Sequence, residues 1–174
     1  DVLILEYLQD GKYREAQTYF EKKIAATKKK SKNRYTGIEV LNLMLNYEIE
    51  QAEEKAIRVK CAVEAYHCPV DETELCIIIG NLFDNAIEAV KDLPDEQRQI
   101  DFSIQNPNGI FRIEITNPYE GERRKVEHHY LTTKKENTEM HGLGLMSVQK
   151  IVEKYDGYIE IIDENQKFKI TIAF

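Results

Sequence analysis

The sequence predicts an α+β fold, a mixed sheet with helices gathered on one face. Two pairs of alternating apolar segments are each joined by a short polar turn, which is typical of β-hairpins. Helical segments, in which apolar residues recur every three or four positions, lie before and between those hairpins. With 174 residues the chain has room for one domain of this kind, or for one domain and a short appendage.

Residues 1–33 are predicted to form a partial helical hairpin, and residues 34–174 the main domain. In the first segment, apolar residues recur at helical spacing on both sides of a turn at Gly11. A hairpin of this size buries little apolar surface by itself. We therefore expect it either to pair with a second copy of itself or to cap the domain.

Two helices and a strand open the main domain. A long amphipathic helix is predicted over about residues 37–55, and apolar alternation predicts a half-buried strand over 58–66. The segment 75–90 then has the apolar spacing of a helix, with Asp71 or Thr73 in position to cap it. That helix carries the most informative residues of the sequence.

Two β-hairpins are predicted in the second half of the chain. The alternating segments 100–104 and 111–115 flank an Asn-Pro-Asn-Gly turn at 106–109. Segments 159–161 and 168–174 alternate in the same way on either side of a polar turn. Strands joined in this manner, with helices between them, favour an α+β fold over a parallel α/β fold.

Asn81 and Asn85 lie one turn apart on the helix predicted over 75–90, on a polar stripe with Glu88 away from the apolar face. An amide oxygen is a neutral, hard ligand, suited to an ion that takes most of its countercharge from phosphates. Mg²⁺ is bound in this way, through one or two protein groups and several waters. The pair therefore predicts either a metal that bridges to a nucleotide or a solvated polar face with a capping role.

Residues 117–140 lose all periodicity, which is typical of a functional lid or of a disordered segment. Gly142 and Gly144 follow where this loop becomes a helix. Glycine lets backbone N–H groups approach an anion closely, and a helix N-terminus adds unsatisfied donors and a positive end. Thr133 and Lys134 in the loop supply a hydroxyl and an ammonium group. With the two asparagines, these features predict one nucleotide site.

Composition argues against several other classes of protein. The net charge of -7 does not favour broad nucleic-acid binding. Cys61, Cys68 and Cys76 lack the close pairing of a zinc site and are expected to be core thiols in a reducing compartment. No stretch approaches the length of a membrane span, and the N-terminus does not resemble a signal peptide. We expect a cytoplasmic protein, either free or as the cytoplasmic piece of a membrane protein.

The stretch NLFDNAIEA at 81–89, followed by HGLGL at 141–145, is similar to the ATP-binding boxes of one superfamily, that of gyrase, heat-shock chaperone, histidine kinase and mismatch-repair ATPases. Within it, the chain most resembles the catalytic domains of sensor histidine kinases of the peptide-sensing, quorum-sensing class. The resemblance covers about residues 36–174, and the two boxes in this order are specific. It implies ATP and Mg²⁺ as cofactors, and a mixed sheet backed by helices with ATP under a long lid.

The resemblance also implies roles for individual residues. Asn85 would be the Mg²⁺ ligand, with Asn81 as its helper on the same stripe. Asn117 occupies the place where most of the superfamily has an Asp that recognises the adenine amino group. The residues implied to bind the cofactors are Asn81, Asn85, Asn117, Thr133, Lys134, Gly142 and Gly144.

Three positions depart from the family pattern. Asn117 accepts a hydrogen bond without the charge assistance of a carboxylate, so we expect modest nucleotide affinity. Asn81 stands where hydrolytic members carry a Glu that acts as a base, and an amide cannot take a proton, which favours transfer over hydrolysis. Glu88 stands where many histidine kinases have a basic residue, which leaves more of the phosphate contact to Lys134 or Lys135.

The phosphoacceptor His of the family is not found in the sequence. In the family it precedes the hairpin turn, whereas no His occurs here before His67. His67 and the histidines at 128, 129 and 141 are interpreted as surface residues or neighbours of the site. We therefore expect the chain to bind Mg-ATP without phosphorylating itself.

The resemblance implies a signalling role. The γ-phosphoryl group would pass from Mg-ATP to a His outside this chain, in the same or the partner subunit, and then to an Asp of a response regulator. The N-terminal hairpin would form a homodimer. Two alternatives remain: a nucleotide-dependent regulator of the same fold that binds a partner without phosphotransfer, and a true ATPase, against which Asn81 argues.

Overall fold

The computed structural model describes residues 33–65, 67–120, 130–131 and 143–174. Within these ranges it contains three α-helices and six β-strands. The helices are α1 (Glu39–Glu53), α2 (Glu72–Val90) and α3 (Leu143–Lys154), and the strands are β1 (Arg58–Glu64), β2 (Gln99–Gln105), β3 (Arg112–Pro118), β4 (Tyr130–Leu131), β5 (Tyr158–Glu164) and β6 (Lys167–Ala173). Every helix and strand predicted over residues 34–174 is present. The hairpin predicted over residues 1–33 lies outside the described residues, apart from Asn33.

The strands form one mixed sheet in the order β1-β2-β3-β6-β5-β4. β1 runs parallel to β2, and the other neighbouring pairs are antiparallel. Side chains alternate between a buried and a more exposed face, as at Ile113, Ile115 and Asn117, which are the buried positions of β3. The three helices pack against the sheet, which confirms the predicted α+β class.

α2 lies at the centre of the core and packs against both α1 and α3. Its predicted apolar face is buried, since Leu75, Ile78, Ile79, Leu82 and Phe83 are each at most 1% exposed. Burial of one such side chain contributes about 1.5–3 kcal/mol to stability. The packing of α2 therefore fixes which of its faces is left for a ligand. None of the helices in the described ranges is long and apolar enough to span a membrane.

The structure corrects the predicted start of the lid. The sequence predicts that periodicity is lost from residue 117, but Asn117 and Pro118 are the last two residues of β3. Asn117 pairs with Phe168 of β6 and is only 2% exposed. Tyr130 and Leu131, inside the predicted lid, form β4 at the sheet edge beside β5. The strand pattern is hidden at 117 because a buried polar residue stands where an apolar one is expected.

The segment that leads into α1 is bound by two asparagines of that helix. Asn42 Oδ1 accepts from the backbone N–H groups of Tyr35 (2.7 Å) and Thr36 (3.0 Å), and its Nδ2 donates to the Thr36 carbonyl (2.8 Å). Asn46 Oδ1 accepts from the Asn33 N–H (3.2 Å), and its Nδ2 donates to the Asn33 carbonyl (2.8 Å). These bonds hold the start of α1, whose N-cap residue makes no side-chain cap bond.

Candidate functional site

α2 begins at an aspartate cap. Asp71 is the N-cap residue, and its Oδ1 accepts a hydrogen bond of 2.9 Å from the Thr73 N–H. Of the two caps that the sequence allows, Asp71 is therefore the one used. Glu72 and Glu74 in the first turn complement the positive end of the helix. The cap and the buried apolar face together set the rotation of α2, and so the direction of its polar stripe.

The polar stripe of α2 is exposed at Asn85 and Glu88 and covered at Asn81. Asn81 is 7% exposed, so of the two amides predicted on this stripe Asn85 faces solvent and Asn81 is covered. The Asn81 Nδ2 donates to the Ile77 carbonyl one turn earlier, at 2.7 Å. Because the helix backbone uses the amide nitrogen, the Oδ1 atom is the part of this side chain that is directed away from that carbonyl.

The Asn81 side chain lies against the start of α3. Gly144 is the second residue of α3, and a Cβ atom there would be 2.5 Å from Asn81 Oδ1 and 3.3 Å from Asn81 Cγ. A side chain at position 144 would therefore collide with the amide. Glycine lets the N-terminal turn of α3 approach the asparagine this closely without a shift of either group.

Gly144 at the start of α3 lies against Asn81 in the middle of α2, whereas Lys154 at the end of α3 pairs with Glu74 near the start of α2. The two helices therefore run antiparallel, with the start of α3 at the amide stripe. The first N–H groups of a helix have no partner within it, and its N-terminus carries a partial positive charge. An anion placed here would meet N–H donors from α3 and amide oxygens from α2, an arrangement suited to a phosphate with a bound cation.

Asn117 lies at the end of β3, on the buried face of the sheet. It is 2% exposed, and its Nδ2 donates to the carbonyl of Pro118 at 2.8 Å. Tyr119, two residues after Asn117, is also held in place. Its N–H donates to the Gln166 carbonyl at 3.1 Å, and its hydroxyl donates to Asp163 Oδ1 at 2.5 Å. The backbone that follows Asn117 is therefore held by hydrogen bonds, and the Asn117 amide nitrogen is already bonded to the Pro118 carbonyl.

The structure brings Asn81 and Gly144 into contact, with Asn85 one turn away, and it places Asn117 on the buried face of the sheet. The other residues predicted for the site, Thr133, Lys134 and Gly142, lie outside the described residues, as do the histidines at 128, 129 and 141.

The three cysteines are free thiols with raised pKa values. Burial raises the pKa of Cys76, on the apolar face of α2, to about 12, and that of Cys61 to about 11. Burial also raises the pKa of Cys68. A thiol with a raised pKa is a poor nucleophile and a poor metal ligand at neutral pH. The prediction of core thiols is confirmed for Cys76, which is 1% exposed, whereas Cys61 and Cys68 are half-buried.

Sequence reasoning misses three residues that join the N-terminal end of α2 to the C-terminal end of α3. Glu74, Lys154 and Tyr155 meet through hydrogen bonds and an ion pair. They lie far apart in the sequence, and no motif marks them. The available signal is weak. It consists of an acid in the first turn of one predicted helix and a Lys in the last turn of another, and each charge interacts favourably with the dipole of its own helix.

Comparisons with known proteins agree with this architecture. A family model described as the GHKL domain matches residues 70–174 of the chain, a range that contains α2, α3 and both hairpins. A probable C4-dicarboxylate sensor kinase of Halalkalibacterium halodurans is 30% identical over 93 residues, which is 52% of this chain. The match spans only 18% of the length of that relative.

Two solved structures have a similar fold. A mycobacterial sensor histidine kinase, MprB, has a TM-score of 0.58 and 21% identity, over 78% of this chain and 91% of that chain. The histidine kinase ShkA, solved at full length in complex with AMPPNP, has a TM-score of 0.56 and 18% identity, over 77% of this chain and 28% of that chain. At these identities the two structures establish the fold alone.

The family match extends from Val70 to the last residue and so covers more than half of the chain. It includes Asn81, Asn85 and Gly144, the residues that the structure brings together, and the solved structures of similar fold are histidine kinases. The chain therefore belongs to the GHKL domain family and has the fold of histidine kinase catalytic domains.

Proposed function

We propose that this chain is the ATP-binding catalytic domain of a sensor histidine kinase. It would position Mg-ATP for transfer of the γ-phosphoryl group to a His outside this chain, from which the group passes to an Asp of a response regulator. The family match, the sensor kinase relative and the AMPPNP complex of a kinase with a similar fold support this assignment. The peptide-sensing subclass rests on the sequence resemblance alone.

The observation that carries the proposal is the contact between Asn81 and Gly144. It joins the metal-suited amides and the glycine turn, two features that lie far apart in the sequence. Asn85 is exposed one turn further along α2 and supplies a second amide oxygen. Neutral oxygen donors beside a helix N-terminus fit an anion that brings its own divalent cation. We infer that Asn85, helped by Asn81, holds Mg²⁺ and that Gly144 lies against the phosphates.

The chain's own residues contribute mainly binding and orientation. Mg²⁺, when bound, would neutralise charge on the triphosphate. The first turn of α3 and the amides of α2 would hold the phosphates in a fixed direction for in-line transfer. Thr133, Lys134 and Gly142 are assigned to the phosphates from the sequence resemblance. Glu88, which stands where many histidine kinases have a basic residue, lies 2.7 Å from the Lys91 ammonium group, so its charge is partly offset.

Asn117 is the proposed contact for the adenine amino group. Its Nδ2 already donates to the Pro118 carbonyl, so the remaining acceptor of the side chain is Oδ1. An amide oxygen can accept from the adenine amine but has no net charge to strengthen the bond. We therefore expect ATP to bind with modest affinity.

Phosphoryl transfer is favoured over ATP hydrolysis because of Asn81. Hydrolytic members of the superfamily have a Glu at this place, one turn before the metal-binding Asn. The Asn81 amide cannot take a proton from water, and its nitrogen is bonded to the Ile77 carbonyl. Slow hydrolysis leaves Mg-ATP intact until a His acceptor arrives.

The partners and the location of the protein are proposed from the same resemblance. Residues 1–33 would form part of a homodimer interface, and the domain would act in the cytoplasm, as part of a membrane-anchored sensor. The curated relative is a sensor kinase, but this chain matches only 18% of its length. The sensed signal and the response regulator are therefore left open.

Titration calorimetry of this chain with a non-hydrolysable ATP analogue, with and without Mg²⁺, tests the nucleotide site. We expect binding that is strengthened by Mg²⁺. We also expect very slow release of phosphate when the chain is incubated with ATP. A wild-type chain that does not bind the analogue would overturn the proposed function.

The transfer step is tested in a full-length protein that contains this domain. Incubation with γ-labelled ATP should label a His, giving a phosphate that is lost in acid and stable in alkali. Mg-dependent binding without any labelled His would instead favour a nucleotide-dependent regulator that binds a partner. Rapid phosphate release that disappears in Asn85→Ala would favour an ATPase.

A further inference from the structure

We propose that Glu74 and Tyr155 are positioning residues for the nucleotide site, because they fix where the first turn of α3 lies against Asn81. The inference rests on the proposed function. It concerns a cluster where the N-terminal end of α2 meets the C-terminal end of α3. The cluster is formed by Asp71, Glu74, Lys154 and Tyr155, and we call it the clasp.

The clasp is a set of short, charge-assisted contacts. The Tyr155 hydroxyl donates to Glu74 Oε2 at 2.6 Å and accepts from the Asp71 backbone N–H at 3.1 Å. The Lys154 ammonium group lies 2.9 and 2.8 Å from the two Glu74 oxygens. The bond from Tyr155 to Glu74 is half-buried, since the Glu74 side chain is 22% exposed, so this bond is better shielded from water than the Lys154 contacts, which lie at the surface. Because Asp71 caps α2, the clasp holds the start of α2 as well as the end of α3.

Tyr155 is itself anchored to the sheet. Its ring packs edge-on against the Phe174 ring, with centroids 6.1 Å apart and an interplanar angle of 82°. The turn that follows α3 is also packed tightly, since a Cβ atom at Gly157 would lie 2.7 Å from Phe174 Cδ1 and 2.9 Å from the Ala173 carbonyl. The Tyr155 hydroxyl is therefore held in place relative to the sheet, and its bond to Glu74 can define where α3 lies on α2.

Two contacts then determine how α3 lies on α2, the clasp at one end and the Asn81–Gly144 contact at the other. The helix rises about 15 Å between Gly144 and Lys154. A packed helix of this length moves as a unit, so a shift at the clasp is carried to the first turn. The Asn81–Gly144 contact cannot absorb such a shift towards α2, because it has no space for even one methyl group.

The consequence for the site is a change in the gap between two sets of ligand groups. The N–H donors at the start of α3 and the amide oxygens of α2 must both reach the same Mg-phosphate group. If the clasp is loosened, α3 can tilt or slide, and the donors no longer match the amides. Because small misplacements of positioning groups weaken binding and transfer, the clasp should affect nucleotide affinity without touching the nucleotide.

The test uses two variants that loosen the clasp with little change of shape. Tyr155→Phe keeps the ring and its contact with Phe174 but removes the hydroxyl. Glu74→Gln keeps the size of the side chain but removes the charge. The matched control is Tyr35→Phe, which removes the hydroxyl that accepts from Asn33 Nδ2 at 3.1 Å, before α1 and away from the clasp. All three proteins are compared with the wild-type chain.

The first readout is the Kd for a non-hydrolysable ATP analogue with Mg²⁺. It is measured at a temperature well below the thermal unfolding midpoint of each protein. We expect Tyr155→Phe and Glu74→Gln to weaken binding roughly three- to tenfold each, and the double variant to weaken it by less than the product of the two, because both changes act on the bond between Tyr155 and Glu74. Tyr35→Phe should stay within about twofold of wild type. A wild-type Kd in both clasp variants would overturn the inference and leave the proposed function standing. A wild-type chain that fails to bind would overturn both.

The second readout is hydrogen exchange in the second turn of α3, where the N–H groups are hydrogen-bonded within the helix, measured without nucleotide. Exchange there should be faster in Tyr155→Phe than in wild type and unchanged in Tyr35→Phe. Faster exchange confined to the neighbourhood of Asp71 would mean that the clasp is only a local stabiliser, and would overturn the inference. If Tyr155→Phe does not fold, Lys154→Ala replaces it, because the Lys154 side chain is 59% exposed and its removal leaves no cavity.

Discussion

α1 and α2 each carry two asparagines one turn apart, Asn42 with Asn46 and Asn81 with Asn85. The two pairs also share one type of hydrogen bond. Asn46 and Asn81 each donate Nδ2 to the carbonyl four residues earlier, at 2.7 Å in both cases. In α1, the oxygen atoms of both side chains accept from the backbone N–H groups that lead into the helix. In α2, the Asn81 oxygen lies beside Gly144, and Asn85 is exposed.

The difference between the two pairs shows that spacing alone does not make a metal site. The α1 pair meets a neighbouring stretch of its own backbone and serves to hold that stretch. The α2 pair meets the N-terminus of another helix, where N–H groups are left over for an anion. What a side-chain amide can do is therefore decided by the groups that the fold places opposite its oxygen.

The largest effect is expected for Asn85→Ala. Loss of a metal ligand should weaken Mg-dependent binding of an ATP analogue by about 100-fold or more, since even outer groups around a metal contribute 10–100-fold. Asn46→Ala is the matched control, because it removes the same side chain from the other pair and should leave the Kd within about twofold. Titration calorimetry measures both. Equal losses in the two variants would remove the distinction between the pairs.

A second large effect, on stability alone, is expected for Asn42→Ala. The change leaves the N–H groups of Tyr35 and Thr36 without their acceptor and should lower the free energy of unfolding by about 2 kcal/mol. Urea denaturation gives this value, with Gln51→Ala on the same helix as a control that should cost less than about 0.5 kcal/mol. Analogue binding by folded Asn42→Ala should match wild type, and a tenfold weaker Kd would show that α1 also shapes the site.

A smaller effect on binding is expected for Gly144→Ala. The new methyl group meets Asn81 Oδ1 at 2.5 Å, so either the amide or the start of α3 must move, and we expect about a tenfold weaker Kd. Gly37→Ala is the control, since nothing lies within 4 Å of a Cβ atom there. Wild-type affinity in Gly144→Ala would mean that the contact between α2 and α3 is not part of the nucleotide site.

The smallest expected effect is a dependence of stability on pH that comes from Cys76, on the apolar face of α2. Burial raises the pKa of Cys76 from 9.0 to about 12, so the folded chain keeps this proton when the unfolded chain has lost it. The stabilisation is complete below pH 9 and is lost as pH rises from about 9 to 12, with a first loss on the order of 1 kcal/mol between pH 8 and 9.5. Urea denaturation at several pH values should give this slope in wild type and a flatter one in Cys76→Ala. Identical slopes would mean that water reaches the apolar face.

Most of the elements follow from local pattern, because neighbouring side chains point in directions set by the backbone. Alternation at Ile100, Phe102 and Ile104 is enough to predict β2, and a period near 3.6 is enough to predict the buried face of α2. The pattern fails at Asn117, where a polar residue occupies a buried strand position. It also fails to choose between Asp71 and Thr73 as a cap, since both are side chains that can accept from a helix N–H.

Local sequence patterns are enough to predict the order of the helices and strands other than β4, the α+β class, and the residue types able to hold a phosphate and its cation. They do not predict that Asn81 meets Gly144, that Asn42 and Asn46 bind backbone instead of ligand, or that Glu74 reaches Tyr155, which are known from the tertiary structure alone. The physical reason is that periodicity records which way a side chain points from its own element. The partner it meets there depends on how distant elements pack, and no local pattern encodes that.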